Sequence, residues 1–237
     1  MLSYIFHSCF AWEDDDVLIV FDYWKDAPDG RLHHMIEQRG TRQLFFVVSH
    51  FHEDHYNPDI LTVEGARLLL SYDTVKRRRV DKMLPAAILH PREYYEDEYL
   101  RLDACLSTDV GMSSVVTLKD GTVLYHAGDN NNWYFDENPG EHIRCSLHEM
   151  EGLFLASLRS VKAAAPQGVD YAMFPVDPRL GKETLRGPGQ FLHHVPTRHF
   201  YPMHCWERYA EVDNILPQLQ DTFPNTRIHL AGDFEKF

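Results

Sequence analysis

Gln43-Leu44-Phe45-Phe46-Val47-Val48-Ser49-His50-Phe51-His52-Glu53-Asp54-His55-Tyr56-Asn57-Pro58 is the stretch on which the fold is decided. Its first part, Gln43 to Ser49, has a continuously apolar centre rich in β-branched and aromatic residues, the pattern of a strand buried on both faces. Asn57-Pro58 then supplies a helix cap and a proline at the first helical position, so a helix is predicted to begin at Pro58. Three histidines and an aspartate therefore sit in the turn at the carboxyl end of a buried strand. His50, His52 and Asp54 share the parity of an extended chain and can point the same way. His55 breaks that parity and can face a second point beside the first. Imidazole and carboxylate are the ligands zinc takes where thiolates are absent. His52 and His55 are three apart, not four, which excludes the helical zinc motif of metalloproteases.

Outward from this turn the chain alternates strands and helices, an α/β pattern with no composition shift or linker, and residues 1–237 are expected to form one domain. Residues 2–10 and 17–22 are predicted strands joined by the acidic turn Glu13 to Asp16, and Leu32 to Gly40 a short helix closed by glycine. Ala66 to Ser71 and Ala86 to Leu89 read as strands; the tyrosine-rich segment around Tyr94, Tyr95 and Tyr99 receives no assignment. Val115 to Leu118 and Thr122 to His126 form a hairpin that delivers Asp129 just beyond its second strand. Residues 130–147 read as loop, and His148 to Ala165 as an amphipathic helix with Leu153, Ala156, Val161 and Ala164 on one stripe and Phe154 and Leu158 beside it. Strands are predicted over Tyr171 to Val176, His199 to Met203 and Arg227 to Ala231. Arg179 to Gly189 reads as a glycine-rich loop, Gln190 to His194 as helix, and Val212 to Phe223 as a helix whose Pro217 must lie in the first turn or kink it.

The bulk properties narrow the function. The chain is 44% hydrophobic and 25% charged, ordinary for a soluble globular protein, but carries 15 histidines. A net charge of −13 argues against a sequence-independent grip on nucleic acid or an anionic membrane. The short basic run Lys76-Arg77-Arg78-Arg79 reads as a solvated face. Cys9, Cys105, Cys145 and Cys205 form no CxxC pair and fit reduced, buried thiols. With no signal-peptide pattern and no apolar run of membrane-spanning length, a cytoplasmic protein acting on a small molecule is expected.

The sequence HFHEDH over His50–His55 resembles the HxHxDH signature of the metallo-β-lactamase superfamily. The resemblance implies a four-layer αββα sandwich with metals at one edge. It implies His50 and His52 at one metal site and Asp54 and His55 at a second. LYHAGD resembles the family's bridging-aspartate motif and assigns that role to Asp129, whose two oxygens can hold two cations. YPMHCW places His204 as the last ligand of the second site, with His199 its nearest rival. YIFHSCF followed by VLIVFD, and STDVGMS with FPVDPRLG, resemble the ascorbate-6-phosphate-lactonase-like branch, where a histidine close to the metal site corresponds to His7.

The chain departs from the family at one position. A third histidine normally completes the first site, and here that segment reads Cys105-Leu106-Ser107-Thr108-Asp109-Val110-Gly111. Asp109 is the expected substitute, with Ser107 and Thr108 as groups that could act through water; the only histidine in the interval is His90. A carboxylate there hardens the site, so one or two zinc ions are expected, with manganese or iron as alternatives. His7, His126 and Asp177 are assigned to the surroundings of the metals; Arg179, Lys182 and Arg186 are cations that could attract an anionic substrate. The implied activity is metal-dependent hydrolysis of an ester, lactone or phosphoester by activated water, with Asp54 orienting the water and taking its proton. The alternatives are a phosphodiesterase acting on a nucleotide or phospholipid-like diester, and a non-catalytic metal-binding protein of the same fold.

Overall fold

The computed structural model describes residues 1–81, 86–134 and 146–236. Among them two sheets form. The first joins, in chain order, β1 (Leu2–Phe6), β2 (Cys9–Glu13), β3 (Val17–Phe21), β4 (Gln43–Val48), β5 (Arg67–Ser71) and β6 (Ala86–Leu89). The second contains β7 (Tyr94–Glu96), β8 (Leu100–Cys105), β9 (Ser113–Leu118), β10 (Val123–His126), β11 (Val169–Pro175), β12 (Thr197–Met203) and β13 (Arg227–Ile228), again in chain order across the sheet. Strands β3 to β6 are parallel, as are β10 to β13; the remaining pairings are antiparallel.

The unbroken apolar runs exist because both faces of each sheet are covered. Ile19, Phe21, Phe45, Val47 and Leu69 turn toward the second sheet and share a core with Leu102, Val116 and Leu124. Their neighbours Leu18, Val20, Phe46, Val48, Leu68 and Leu70 turn the other way, onto Leu32 of α1 (Arg31–Glu37) and Val75 of α2 (Tyr72–Arg78). Helices α3 (Leu147–Ala164), α4 (Arg186–His194) and α5 (Tyr209–Thr222) bring Phe154, Leu158, Phe191 and Leu216 to the second sheet. The order helix, sheet, sheet, helix is the expected αββα sandwich.

Strand direction places the loops. β4 runs with β3, and β11 and β12 run with β10. Two antiparallel steps return β1 to the direction of β3, and two return β8 to that of β10. The carboxyl ends of β1, β3 and β4 therefore share one edge of the first sheet, and those of β8, β10, β11 and β12 one edge of the second. Crevices outside such carboxyl ends are where open α/β sheets bind ligands.

Several expectations need correction. Residues 2–10 are not one strand: the chain reverses at His7-Ser8, with His7 at φ 55 and its N–H donated to the Tyr4 hydroxyl at 2.7 Å. No glycine, asparagine or proline marks that turn in the sequence. The helix expected at Pro58 is only a short 3-10 turn, Pro58–Thr62, although Asn57 caps it by accepting the Asp59 N–H. The basic run lies at the end of α2, where cations suit the helix dipole; Lys76, Arg77 and Arg79 are exposed as expected, and only Arg78 departs, half-buried and donating to the Phe51 carbonyl at 2.7 Å. The tyrosine-rich segment contains β7 and leads into β8. The expected loop 179–189 holds a 3-10 turn, Pro178–Glu183, and the start of α4; Gly187 lies within that helix because a Cβ there would meet Asn131 Oδ1 at 1.8 Å. Leu153 is 52% exposed, so the buried stripe of α3 centres on Phe154, Leu158 and Val161 instead. Pro217 stands inside α5, past its first turn, and the last strand stops at Ile228. Of the loop expected over 130–147, residues 135–145 lie outside the described residues, Cys145 among them.

Candidate metal centre

The loops leaving these strand ends converge. The turn after β4 contributes His50, His52, Asp54 and His55, with Glu53–His55 forming a single 3-10 turn. The β1–β2 turn contributes His7, the loop after β8 Asp109, the loop after β10 Asp129 and the loop after β12 His204. Two groups result, and within each the potential ligand atoms all lie within 4.8 Å of one another: His50, His52, Asp109 and Asp129, and His7, Asp54, His55 and His204.

Asp129 joins the two. Its Oδ2 lies 3.5 Å from His50 Nε2, while its Oδ1 lies 3.1 Å from His55 Nε2 and 3.4 Å from His204 Nε2. In the first group His50 Nε2 and His52 Nδ1 are 2.9 Å apart, and Asp109 Oδ2 is 3.6 Å from His52 Nδ1. In the second, Asp54 Oδ2 lies 3.2 Å from His7 Nε2, 3.8 Å from His55 Nε2 and 3.7 Å from His204 Nε2.

A metal fits this donor set on two observations. First, His7 Nε2, His55 Nε2 and Asp129 Oδ1 are buried and make no hydrogen bond of good geometry despite their closeness to oppositely charged partners. They aim at common points rather than at one another, an arrangement expensive to bury unless a cation satisfies it. Second, the outer nitrogens are fixed from behind. His55 Nδ1 is 2.7 Å from Asp22 Oδ2, and His204 Nδ1 is 3.0 Å from Asp177 Oδ2. The Ser49 hydroxyl donates to Asp22 at 2.6 Å and so accepts from His50 Nδ1 at 2.9 Å. Each neutral ring thus carries its proton on Nδ1 and turns the Nε2 lone pair inward, as metal-ligating histidines do.

The same contacts set the protonation. Burial disfavours a charged His55, but Asp129 and Asp22 outweigh it and raise its pKa. Burial is likewise overcome at His204, where Asp129 and Asp177 push the ring up to about 9. Burial would raise Asp129, yet His55, His204 and His50 hold it well below the usual carboxylate range. His7 goes the other way: burial, only partly opposed by Asp54, lowers it to about 4. At pH 7 His7 is neutral, while His55 and His204 carry protons that a cation must displace.

The surrounding residues take distinct places. The Thr108 hydroxyl donates to the Asn131 carbonyl at 2.7 Å and accepts the Asn131 N–H at 3.0 Å, while Ser107 Oγ accepts the Asp109 N–H at 3.2 Å. Both shape the loop that presents Asp109. His126 donates from Nε2 to the Ser8 carbonyl at 2.8 Å, accepts the Gly128 N–H on Nδ1 and stacks on Phe21, so neither nitrogen faces the groups. Asp177 grips Arg179 as well as His204, and Arg179 lies over Trp206. Arg186 is tied to Glu151 and Glu183. Lys182 is exposed on the turn after Asp177. His90 is exposed and stacked on Tyr72, and His199 pairs with His229; neither belongs to either group.

Sequence reasoning missed Asp22 and Ser49. The available signal was a carboxylate ending a buried strand beside the metal-turn strand. It also missed the tryptophans whose rings face the histidines: Trp24 and Trp206 against His7, Trp133 against His204.

In comparison with known proteins, the sequence matches no family model and no curated protein. Its structure superposes on a metallo hydrolase from the hyperthermophilic archaeon Ignicoccus hospitalis with a TM-score of 0.61 at 18% identity, covering 97% of this chain and 93% of the other. A metallo-β-lactamase fold protein from Bacillus subtilis superposes at 0.61 with 8% identity, covering 95% and 90%. This is the metallo-β-lactamase fold. A diphosphatase of the PhnP family shares it at a TM-score of 0.52 and 14% identity, covering 94% and 81%. In this chain Asp109 lies in one group with His50, His52 and Asp129.

Two outcomes follow from this geometry. Gly111 has φ +79, and a Cβ on it would meet the Ser49 carbonyl at 2.1 Å and His50 Cβ at 2.6 Å. Gly111→Ala should therefore cost roughly 2 kcal/mol or more in a denaturant titration, against within about 0.5 kcal/mol for a surface change. Metal uptake near pH 7 should release protons, and apparent affinity should rise with pH as His204 approaches its deprotonation near 9. Calorimetric titrations in buffers of different ionisation enthalpy measure that release, and buffer-independent heats would contradict it.

Proposed function

We propose that the chain is a metal-dependent hydrolase of a small ester, lactone or phosphoester. The observation that carries this reading is the pair of histidine–carboxylate groups, buried at His50, His55, Asp129 and His204 and open at His52 and Asp109, joined through the two oxygens of Asp129. His50, His52, Asp109 and Asp129 would hold one divalent cation; Asp54, His55, Asp129 and His204 would hold another. Each group offers two imidazoles and two carboxylates, a donor set that suits zinc and admits manganese or iron. Bound there, such cations supply Lewis-acid polarisation of a carbonyl or phosphoryl oxygen and make water acidic enough to act near neutral pH.

The chain's own residues do the positioning. The Asp54 side chain is 20% exposed, whereas those of His55 and His204 are buried at 0% and 3%. Within the second group Asp54 is therefore the ligand candidate open to incoming water. Burial would raise its pKa, but His204 and His7 hold it low, so it stays ionised and orients the water more than it strips it. Asp22 and Asp177 keep the imidazoles turned inward through the reaction. Lys25 over Trp24 and Arg179 over Trp206 place cations beside the site, which supports an anionic substrate. Arg179 and Arg186 are each neutralised by carboxylates, so the attraction is short-ranged. The ascorbate-6-phosphate-lactonase-like branch remains the subgroup to which the sequence points. The unpaired buried thiols of Cys9, Cys105 and Cys205 support a cytoplasmic setting. The net charge of −13 supports a small-molecule substrate over nucleic acid or a membrane.

A phosphodiester or diphosphate substrate is the second reading, supported by fold similarity to the PhnP-family diphosphatase. A panel of chromogenic carboxylic esters, lactones, phosphomonoesters and phosphodiesters, run on metal-loaded protein, separates the two. Turnover of one class is expected, and Asp54→Asn should reduce it by about two orders of magnitude while the protein stays folded. Failure of every class in protein shown to hold metal would favour the non-catalytic alternative.

A further inference from the structure

His7, the single histidine of residues 1–22, lies outside the ligand set drawn above, yet contacts from three sides fix its place. Its backbone is left-handed, at φ 55, a conformation uncommon outside glycine, although histidine, like asparagine and aspartate, adopts it more often than other residues. The position is held from both sides: its N–H donates to the Tyr4 hydroxyl at 2.7 Å, and its carbonyl accepts the His204 N–H at 3.3 Å. His204 is itself left-handed, at φ 59. The ring is wedged between His204, 4.4 Å away, Trp206, 4.6 Å away, and Trp24, 5.5 Å away. Its side chain is 3% exposed, and its buried Nε2 makes no hydrogen bond of good geometry. That nitrogen lies 3.2 Å from Asp54 Oδ2, within the same 4.8 Å group as the ligand atoms of Asp54, His55 and His204.

Strained backbone persists where the surroundings enforce it, and at functional sites it commonly aims a side chain. A histidine serving only to pack would not need its last nitrogen sealed away from water among three potential ligand atoms. We propose that His7 Nε2 is a direct metal ligand of the second group, supplied by the β1–β2 turn. That group then offers three imidazoles with the Asp54 and Asp129 carboxylates, while the first offers two imidazoles with Asp109 and Asp129. The two positions differ in hardness, so the second retains zinc or cobalt preferentially and the first takes manganese or iron more readily. This rests on the reading that the cluster binds cations.

The test is cobalt loading followed by visible spectroscopy and chelator competition on wild-type protein and His7→Asn. Asparagine keeps the left-handed backbone, but its side chain ends short of the Nε2 position. The variant is expected to lose at least about 10-fold in affinity for one cobalt ion, with a changed d–d spectrum, while the other ion is held as before. Unchanged affinity and spectrum in a variant that folds like wild type would overturn the assignment and leave His7 as a partner of Asp54 alone. Should the variant not fold, wild-type protein with labelled histidine and NMR-active cadmium decides: coupling of cadmium to His7 Nε2 supports ligation, and coupling only to His50, His52, His55 and His204 refutes it. Wild-type protein that takes up no cobalt or cadmium would instead overturn the cation reading itself.

Discussion

A carboxylate buried among three imidazoles is the interaction on which the rest of this molecule depends. Asp129 is 7% exposed and faces His50, His55 and His204 from the carboxyl end of β10. A buried charge of this kind is costly unless it is paired and hydrogen-bonded. The imidazoles that face it need their own proton acceptors, so Asp22 and Asp177 are buried in turn, at 1% and 0% exposure. Once His55 and His204 have given up their protons, Asp22, Asp54, Asp109, Asp129 and Asp177 against Arg179 leave a deficit of about four positive charges, which about two divalent cations would supply. The electrostatics and the hydrogen-bond geometry thus ask for the same occupant.

The sandwich makes such a concentration of charge tolerable. Seven strands, β1, β3, β4, β8, β10, β11 and β12, deliver residues of the site from their carboxyl ends, and their loops need only be short to meet there. Rigid strands buried on both faces fix where each loop starts, and the loops then interlock. Met112 N–H donates to the Ser49 carbonyl at 3.0 Å, and Gly111 and Gly128 leave room for Ser49 to approach. Ser49, the residue just before His50, is therefore met by both the Asp109 loop and the Asp129 loop. Placing the ligands on strand ends gives them a precision that free loops lack.

Much of this was legible in the sequence. The apolar run Leu44 to Val48 with HFHEDH after it announced a buried strand carrying potential ligands, and Asp129 and His204 were marked by the resemblance of LYHAGD and YPMHCW to the family's motifs. Asp109 was found by position in the chain, and the structure brings its Oδ2 within 3.6 Å of His52. What escaped was set by tertiary contact. The reversal at His7 depends on the Tyr4 hydroxyl and on His204, residues with no local signature in a hairpin turn. Asp22 reads as an ordinary strand end until β4 is laid beside β3. Arg179 and Arg186, expected to greet an anionic substrate, proved to be partnered, by Asp177 and Glu183 close by in the chain and by Glu151 across the fold. Helix α2 was hidden for a different reason: its buried residues, Asp73, Thr74 and Val75, make no apolar stripe.

The claim that Asp129 bridges two cations is tested most directly by elemental analysis of purified protein beside its Asp129→Ala variant. About two divalent ions per wild-type chain, and loss of both from a variant that still folds, is the predicted result. Wild-type protein without bound metal, or a variant that keeps its full complement, would contradict it.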